Sequence, residues 1–273
     1  VTNPPPRPGA FPQTRASLAE DLRRLGVGQG DVLLVHASLR SLGYVVGGSV
    51  AVVQALFDAV GRAGTVVVPA QTATQNREPS RYDAPSLDEA WWPLIREHLP
   101  AFDPAVTPSE GMGAIAERIR LWPGAARSAH PQTSFAAVGP RAPWIVERHD
   151  LDSQLGEASP LARLEAAGAK VLLLGVGYDK CTAFHLAEYR LPDPPTAANG
   201  CAVMTAEGRR WVTYVGVDLN DGDFSSLGVD FDLRCEEVRA GQIGEAAARL
   251  FPIRAAVSFA VDWLGRHRKQ GSR

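Results

Sequence analysis

The chain is poor in sulfur and has no long apolar run. Its three cysteines (Cys181, Cys201, Cys235) are odd in number and follow no spacing pattern. That excludes a disulfide framework and a zinc set, and reduced thiols in a cytoplasmic protein are expected. No apolar stretch approaches ~20 residues, so no membrane-spanning helix is expected. The proline-rich start from Val1 to Pro12 lacks the apolar core of a signal peptide. Charge of either sign is not in excess: 30 acidic against 28 basic residues give a formal net charge of −2. The Lys and Arg residues are scattered, so no nucleic-acid partner follows. The one basic cluster, Arg266 to Lys269, reads as a solvated helix end.

What is present supports a packed core. A chain of 273 residues, 45% of them hydrophobic, is enough for one large α/β domain. Residues 1–13 read as a flexible arm and 14–273 as a single domain. Ser17 to Leu25 is an amphipathic pattern stopped by Gly26, and Asp31 to His36 is a strand. Ser49 to Val60 is a helix and Thr65 to Pro69 another strand. This alternation predicts a central mixed, mostly parallel sheet covered by helices on both faces. Helices are expected over 87–99, 112–121 and 161–167, with strands over 134–138 and from Val171. The polar, proline-punctuated stretch 70–86 is long for a plain connection and suggests a functional loop. Two runs, 201–205 and 210–215, flank Glu207, Gly208 and Arg209, which predicts a C-terminal β-hairpin element. Ile253 to Arg266 closes the domain as a helix.

The most informative stretch is Val171 to Glu188. A continuous apolar run ends in Gly175 and Gly177, as a buried strand entering a turn does. Ligands bind outside the carboxyl ends of such strands. His185 and Glu188, three apart, share one helix face. An imidazole beside a carboxylate can serve as a general base; the alternative is a surface pair of little energetic consequence. Cys181, four residues before His185, could be a nucleophile or a small buried residue.

Three further segments carry donors or charge. His36 to Gly43 offers Ser38, Arg40 and Ser41 at a strand end, where backbone N–H groups and an arginine can take a phosphate. The same residues could equally cap a helix, with His36 in the interior. The segment fits neither the Walker nor the dinucleotide pattern. Arg127 to Phe135 reads as a ligand-holding loop or as a polar turn at Pro131. The acidic run Asp218 to Asp223 matches a calcium loop only loosely, without the closing glutamate. It could hold a cationic substrate or be a solvated turn, and no metal site is expected.

In combination the chain resembles the aminoglycoside 3-N-acetyltransferase family. The resemblance is carried by five blocks in order: His36 to Gly43, Gly111 to Glu117, Arg127 to Pro131, Leu155 to Leu161 and Thr182 to Glu188. It runs from about residue 15 to the C-terminus. It implies a fold unrelated to the common GNAT acetyltransferases. It also implies acetyl transfer from acetyl-CoA to the 3-amino group of a 2-deoxystreptamine antibiotic, an activity that confers resistance. Other family members acetylate other amines, so a biosynthetic small-molecule amine is the alternative acceptor. On this resemblance His185 and Glu188 would be catalytic, with direct transfer in a ternary complex. A Cys181 acyl-enzyme is the alternative route. His36, Ser38, Leu39, Arg40, Ser41, Gly111, Met112, Gly113, His130 and Ser134 would bind the coenzyme. Asp83, Glu157, Asp179, Asp221 and Asp223 would hold the cationic acceptor. A monomer or homodimer is expected.

Overall fold

A computed structural model describes residues 3, 5, 11–72 and 87–268. Most of the expected 1–13 arm and of the 70–86 loop, with Asp83, lies outside these residues. Gln13, at the end of the arm, is docked by a bridge to Val45.

The elements in chain order are α1 (Arg15–Leu25), β1 (Val32–Ala37), α2 (Gly48–Val60), β2 (Thr65–Pro69), α3 (Trp92–His98), α4 (Gly113–Arg120), β3 (Ala126–Arg127), β4 (Phe135–Val138), α5 (Ala142–Val146), α6 (Pro160–Ala166), β5 (Lys170–Leu174), α7 (His185–Glu188), β6 (Thr196–Thr205), β7 (Gly208–Val217), α8 (Phe224–Arg234), β8 (Arg239–Ile243), β9 (Ala246–Pro252) and α9 (Ile253–His267). A seven-stranded sheet runs β3-β4-β2-β1-β5-β9-β8, and β6 and β7 form a separate two-stranded ribbon.

The expected mixed sheet is present, with one correction to its character. Only β2-β1-β5, at its centre, is parallel. The pairings β2-β4, β4-β3, β5-β9 and β9-β8 are antiparallel. The reason lies in β8 and β9, which come from sequence rich in Ala and Arg and poor in β-branched residues. The close pair of strands Ala246–Pro252 and Arg239–Ile243 turns back through Gly244 and Glu245 and docks on the free edge of β5. The ribbon β6–β7 is the hairpin read from the sequence, paired over the full length of both strands.

Strand alternation divides the core in two. Leu33, Val35, Val66, Val68, Leu172 and Leu174 face α1, α2 and α4. Val32, Leu34, Val67, Val171 and Leu173 face the layer containing α5–α9. His36, one step beyond Leu34 on the same alternation, therefore points toward the layer of α7 and α8. The three parallel strands all end on one side of the sheet, at Ala37, Pro69 and Leu174.

Candidate active site

A cavity of about 550 Å³ opens at those three strand ends. Its wall includes His36 to Arg40 at and beyond the end of β1, Pro69 at the end of β2, Gly111 to Ala116 at the start of α4, Asp179 to Thr182 after β5, and His185, Asp221 and Phe224. Parallel strands feeding turns at one edge create such a crevice.

The turn after β1 approaches the turn after β5 closely. Ser41 Oγ donates to the Gly175 carbonyl at 3.0 Å and lies 3.0 Å from Ser38 Oγ. Gly175 has φ +67°, and a Cβ there would lie 2.4 Å from the Ser41 Cβ. Only glycine permits both the conformation and the contact. This junction holds Ser38, Leu39 and Arg40 against the residues that lead to His185.

After β5 the chain makes two 3-10 turns, Tyr178–Lys180 and Thr182–Phe184, before the single helical turn His185–Glu188. The expected helix is thus short, yet the i, i+3 pair forms. His185 Nδ1 lies 2.5 Å from Glu188 Oε2. The His185 side chain is 15% exposed and that of Glu188 2%, so the ring meets the cavity while the carboxylate lies behind it. Glu188 Oε1 accepts from the Asn220 N–H at 3.0 Å and from Arg268. A carboxylate that deep requires such partners. A ring that donates through Nδ1 to this carboxylate has, in its neutral form, its lone pair on Nε2. Phe224 packs on the imidazole with ring centres 4.7 Å apart.

His36 lies in the same wall, and its buried Nε2 has no hydrogen-bond partner. Burial first, and His185 second, push its pKa down to about 3, so its ring is neutral. Cys181 is fully buried, and burial raises its thiol to about 12. At neutral pH almost none of it is thiolate.

The remaining residues read from the sequence separate into two groups. Leu39, Arg40, Gly111, Met112, Gly113, Asp179 and Asp221 line the cavity with His36, Ser38 and His185. Arg40, Lys180 and Asp221 are exposed at its rim, and Lys180 pairs with Asp179 at 3.1 Å. His130 and Ser134 instead are fully buried away from it. His130 Nδ1 accepts from the N–H groups of Gln132 and Thr133 at 3.1 Å, and Nε2 donates to the Leu151 carbonyl. Ser134 Oγ donates to the Ala70 carbonyl at 2.7 Å and accepts from Arg127. The donors of segment 127–135 are spent on internal loops. Glu157 forms an ion pair with Arg190 at 2.7 Å on another face, and Asp223 binds Arg268 at 2.6 Å. The tail basic cluster is accordingly not all solvated, because Arg268 turns inward. The sequence assigns Phe224 no role and places Arg268 in a solvated basic cluster; nothing in that cluster marks the one arginine whose partners, Glu188 and Asp223, are distant in sequence.

The family model described as aminoglycoside 3-N-acetyltransferase matches residues 34–265. The chain belongs to the aminoglycoside 3-N-acetyltransferase family. It is thus a member of an acyltransferase family. The SPbeta prophage-derived aminoglycoside N(3')-acetyltransferase-like protein YokD of Bacillus subtilis is 41% identical, over 93% of each chain. Aminoglycoside N(3)-acetyltransferase VIII of Streptomyces fradiae is 37% identical, over 93% of this chain and 92% of the other. The crystal structure of YokD superposes with a TM-score of 0.92 at 39% identity, over 96% and 97% of the two chains. A structure described as AAC-IIIb binary with CoASH gives 0.84 at 34% identity, over 96% and 100%. Among the described residues no helix of this family member is long and apolar enough to cross a membrane, and no metal-binding cluster of His, Cys, Asp or Glu is present.

Proposed function

We propose that this chain moves an acetyl group from acetyl-CoA to an amine, the 3-amino group of a 2-deoxystreptamine aminoglycoside, and so confers resistance. We assign residues 14–273 to one catalytic domain acting in the cytoplasm as a monomer or homodimer. The observation that carries the reading is His185, pinned through Nδ1 by buried Glu188 in the wall of a strand-end cavity.

The cavity suits a long, anion-headed coenzyme. Arg40 and Lys180 stand at its rim, and the turn around Ser38 to Arg40 and the glycine-bounded start of α4 bring backbone close to its interior. A Cβ added at Gly111 would meet open space, so the backbone there faces room rather than packing. When bound, acetyl-CoA supplies an acetyl group activated as a thioester. His185 Nε2 takes a proton from the attacking amine, an ammonium acceptor having first lost its extra proton to water, and the nitrogen forms the amide as the thioester C–S bond breaks. Glu188 holds the ring in that tautomer and stabilises the imidazolium. The imidazolium then returns a proton to the departing thiolate, which restores the base. Backbone N–H groups in the turns are suited to the carbonyl oxygen as its charge grows. Transfer is direct, because the buried, protonated Cys181 is a poor nucleophile.

One observation favours a second reading, a biosynthetic amine of lower charge. Of the acids expected to hold a polycation, only Asp179 and Asp221 line the cavity among the described residues, and Asp179 is paired with Lys180. Thiol release from acetyl-CoA, measured against a panel of aminoglycosides and simple amines, decides between them. Release with a deoxystreptamine compound, and a 3-N-acetyl product by NMR, supports the first. No release with any deoxystreptamine compound, but turnover of a simple amine, supports the second. No release with any amine contradicts both.

A further inference from the structure

Arg268 lies past the end of α9 and beyond residues 34–265, where the family match ends. Its guanidinium nevertheless reaches the carboxylate behind His185. Nε and Nη2 donate to the two oxygens of Asp223 at 2.7 and 2.6 Å. Nη2 also donates to the Asn220 carbonyl, and Nη1 donates to Glu188 Oε1. The guanidinium carbon lies 5.9 Å from the centre of the Phe224 ring, the ring that packs on His185. One side chain therefore contacts the carboxylate behind the base, the aromatic ring beside it and the loop that carries Asp221.

We propose that Arg268 is a positioning residue of the acetyl-transfer site: it clamps Glu188 so that Oε2 meets His185 Nδ1 and Nε2 faces the cavity. The inference rests on the acetyl-transfer reading for its kinetic consequence, though not for its geometry. A glutamate carboxylate rotates broadly about its last torsion. Here Oε1 is held from one side by the Asn220 N–H and from another by Nη1, which leaves Oε2 for the ring. A planar guanidinium can do this while it grips Asp223 with its other edge, whereas an ammonium acts as a single point charge. Asp223 is on this view the anchor of the clamp rather than a contact for the acceptor. Without the clamp, the buried carboxylate loses its cationic partner and its fixed orientation together.

The test compares Arg268→Met, Arg268→Lys and Asp223→Asn with the wild type by steady-state kinetics and by 15N NMR of the imidazole nitrogens. The wild-type His185 signal is expected to show a single neutral tautomer protonated on Nδ1. Arg268→Met should show mixed tautomers and a kcat lowered about tenfold or more, with the acetyl-CoA KM within about twofold of wild type. Arg268→Lys should recover part of that loss. Asp223→Asn should lower kcat less and leave the acceptor KM unchanged. An unchanged His185 spectrum in Arg268→Met overturns the proposal, whatever happens to kcat, and so does a kcat within about twofold of wild type. Should Arg268→Met not fold, the spectrum of Arg268→Lys decides: mixed tautomers support the clamp, and an unaltered signal overturns it. A wild type that acetylates no amine sinks the acetyl-transfer reading, and the spectra still test the clamp.

Discussion

An imidazole has two nitrogens and one proton in its neutral form, and the partner of one nitrogen dictates what the other can do. His185 uses only Nδ1 inside the protein, which leaves Nε2 for chemistry. His130 and His149 use both. His149 Nε2 donates to the Gln154 carbonyl at 2.6 Å, and Nδ1 accepts from Ser128 Oγ at 2.9 Å. These rings are structural ties between loops, although His130 stands in a donor-rich segment that reads from sequence as a ligand loop. The number of internal partners is what separates the two kinds of histidine, and a sequence does not display it. The same reasoning applies to Cys181, whose place beside the cavity invites a covalent role that its buried, protonated thiol does not support. Cys181→Ala is expected to retain turnover within about threefold of wild type. Loss of activity together with an acetyl adduct trapped on the wild-type thiol would reverse that conclusion.

At the scale of elements, legibility followed burial. Strands β1, β2 and β5 are continuous apolar runs because they lie at the centre of the sheet, covered on both faces, and their sequences say so. The ribbon β6–β7 was visible through its turn. Strand β9 was not, since Ala246, Ala247, Ala248 and Arg249 resemble a helix or a loop. What makes it a strand is tertiary: it pairs with β5, and Arg249 is neutralised by Asp232 on α8 at 2.5 Å. Helix α8 was missed for a related reason. Gly228 weakens its pattern, yet a Cβ there would lie 2.0 Å from the Tyr178 ring, so the glycine is the price of close packing. The junction of Ser41 with Gly175 carries the site's geometry at this scale. Gly175→Ala adds a methyl against Ser41 and forces a non-glycine residue to positive φ. The expected loss is about 2–4 kcal/mol in urea unfolding. A loss under about 0.5 kcal/mol would mean that the two turns do not depend on this contact.

At the scale of the whole molecule, three imidazoles largely withdrawn from water, His36, His130 and His149, tie stability to pH. Burial lowers His36 and His149 to about 3 and His130 to about 4, from an ordinary value of 6.5. The unfolded chain takes up these protons near 6.5, whereas the fold resists them until far lower pH. Stability is therefore undiminished by these groups above about 6.5 and falls as the pH drops through 6.5 toward 4 and then 3, by on the order of 3 kcal/mol for His130 and about 5 kcal/mol for each of the other two at the limit. Urea unfolding at pH 7.5, 6 and 5 should give a falling midpoint, in a range where most carboxylates have not yet titrated. A constant midpoint would contradict the burial of these rings.

The fold converges on one chemical group. Parallel strands end together, the turns that follow them enclose a cavity, and His185 is presented there with a carboxylate and an arginine in line behind it. The most direct measurement is the kcat of His185→Ala for acetyl transfer, taken together with the affinity of the same variant for acetyl-CoA by calorimetry. Removal of a general base should cost about 100- to 10,000-fold in kcat while coenzyme affinity stays within about threefold of wild type. Turnover that survives within a few-fold would show that the proton leaves the acceptor by another route.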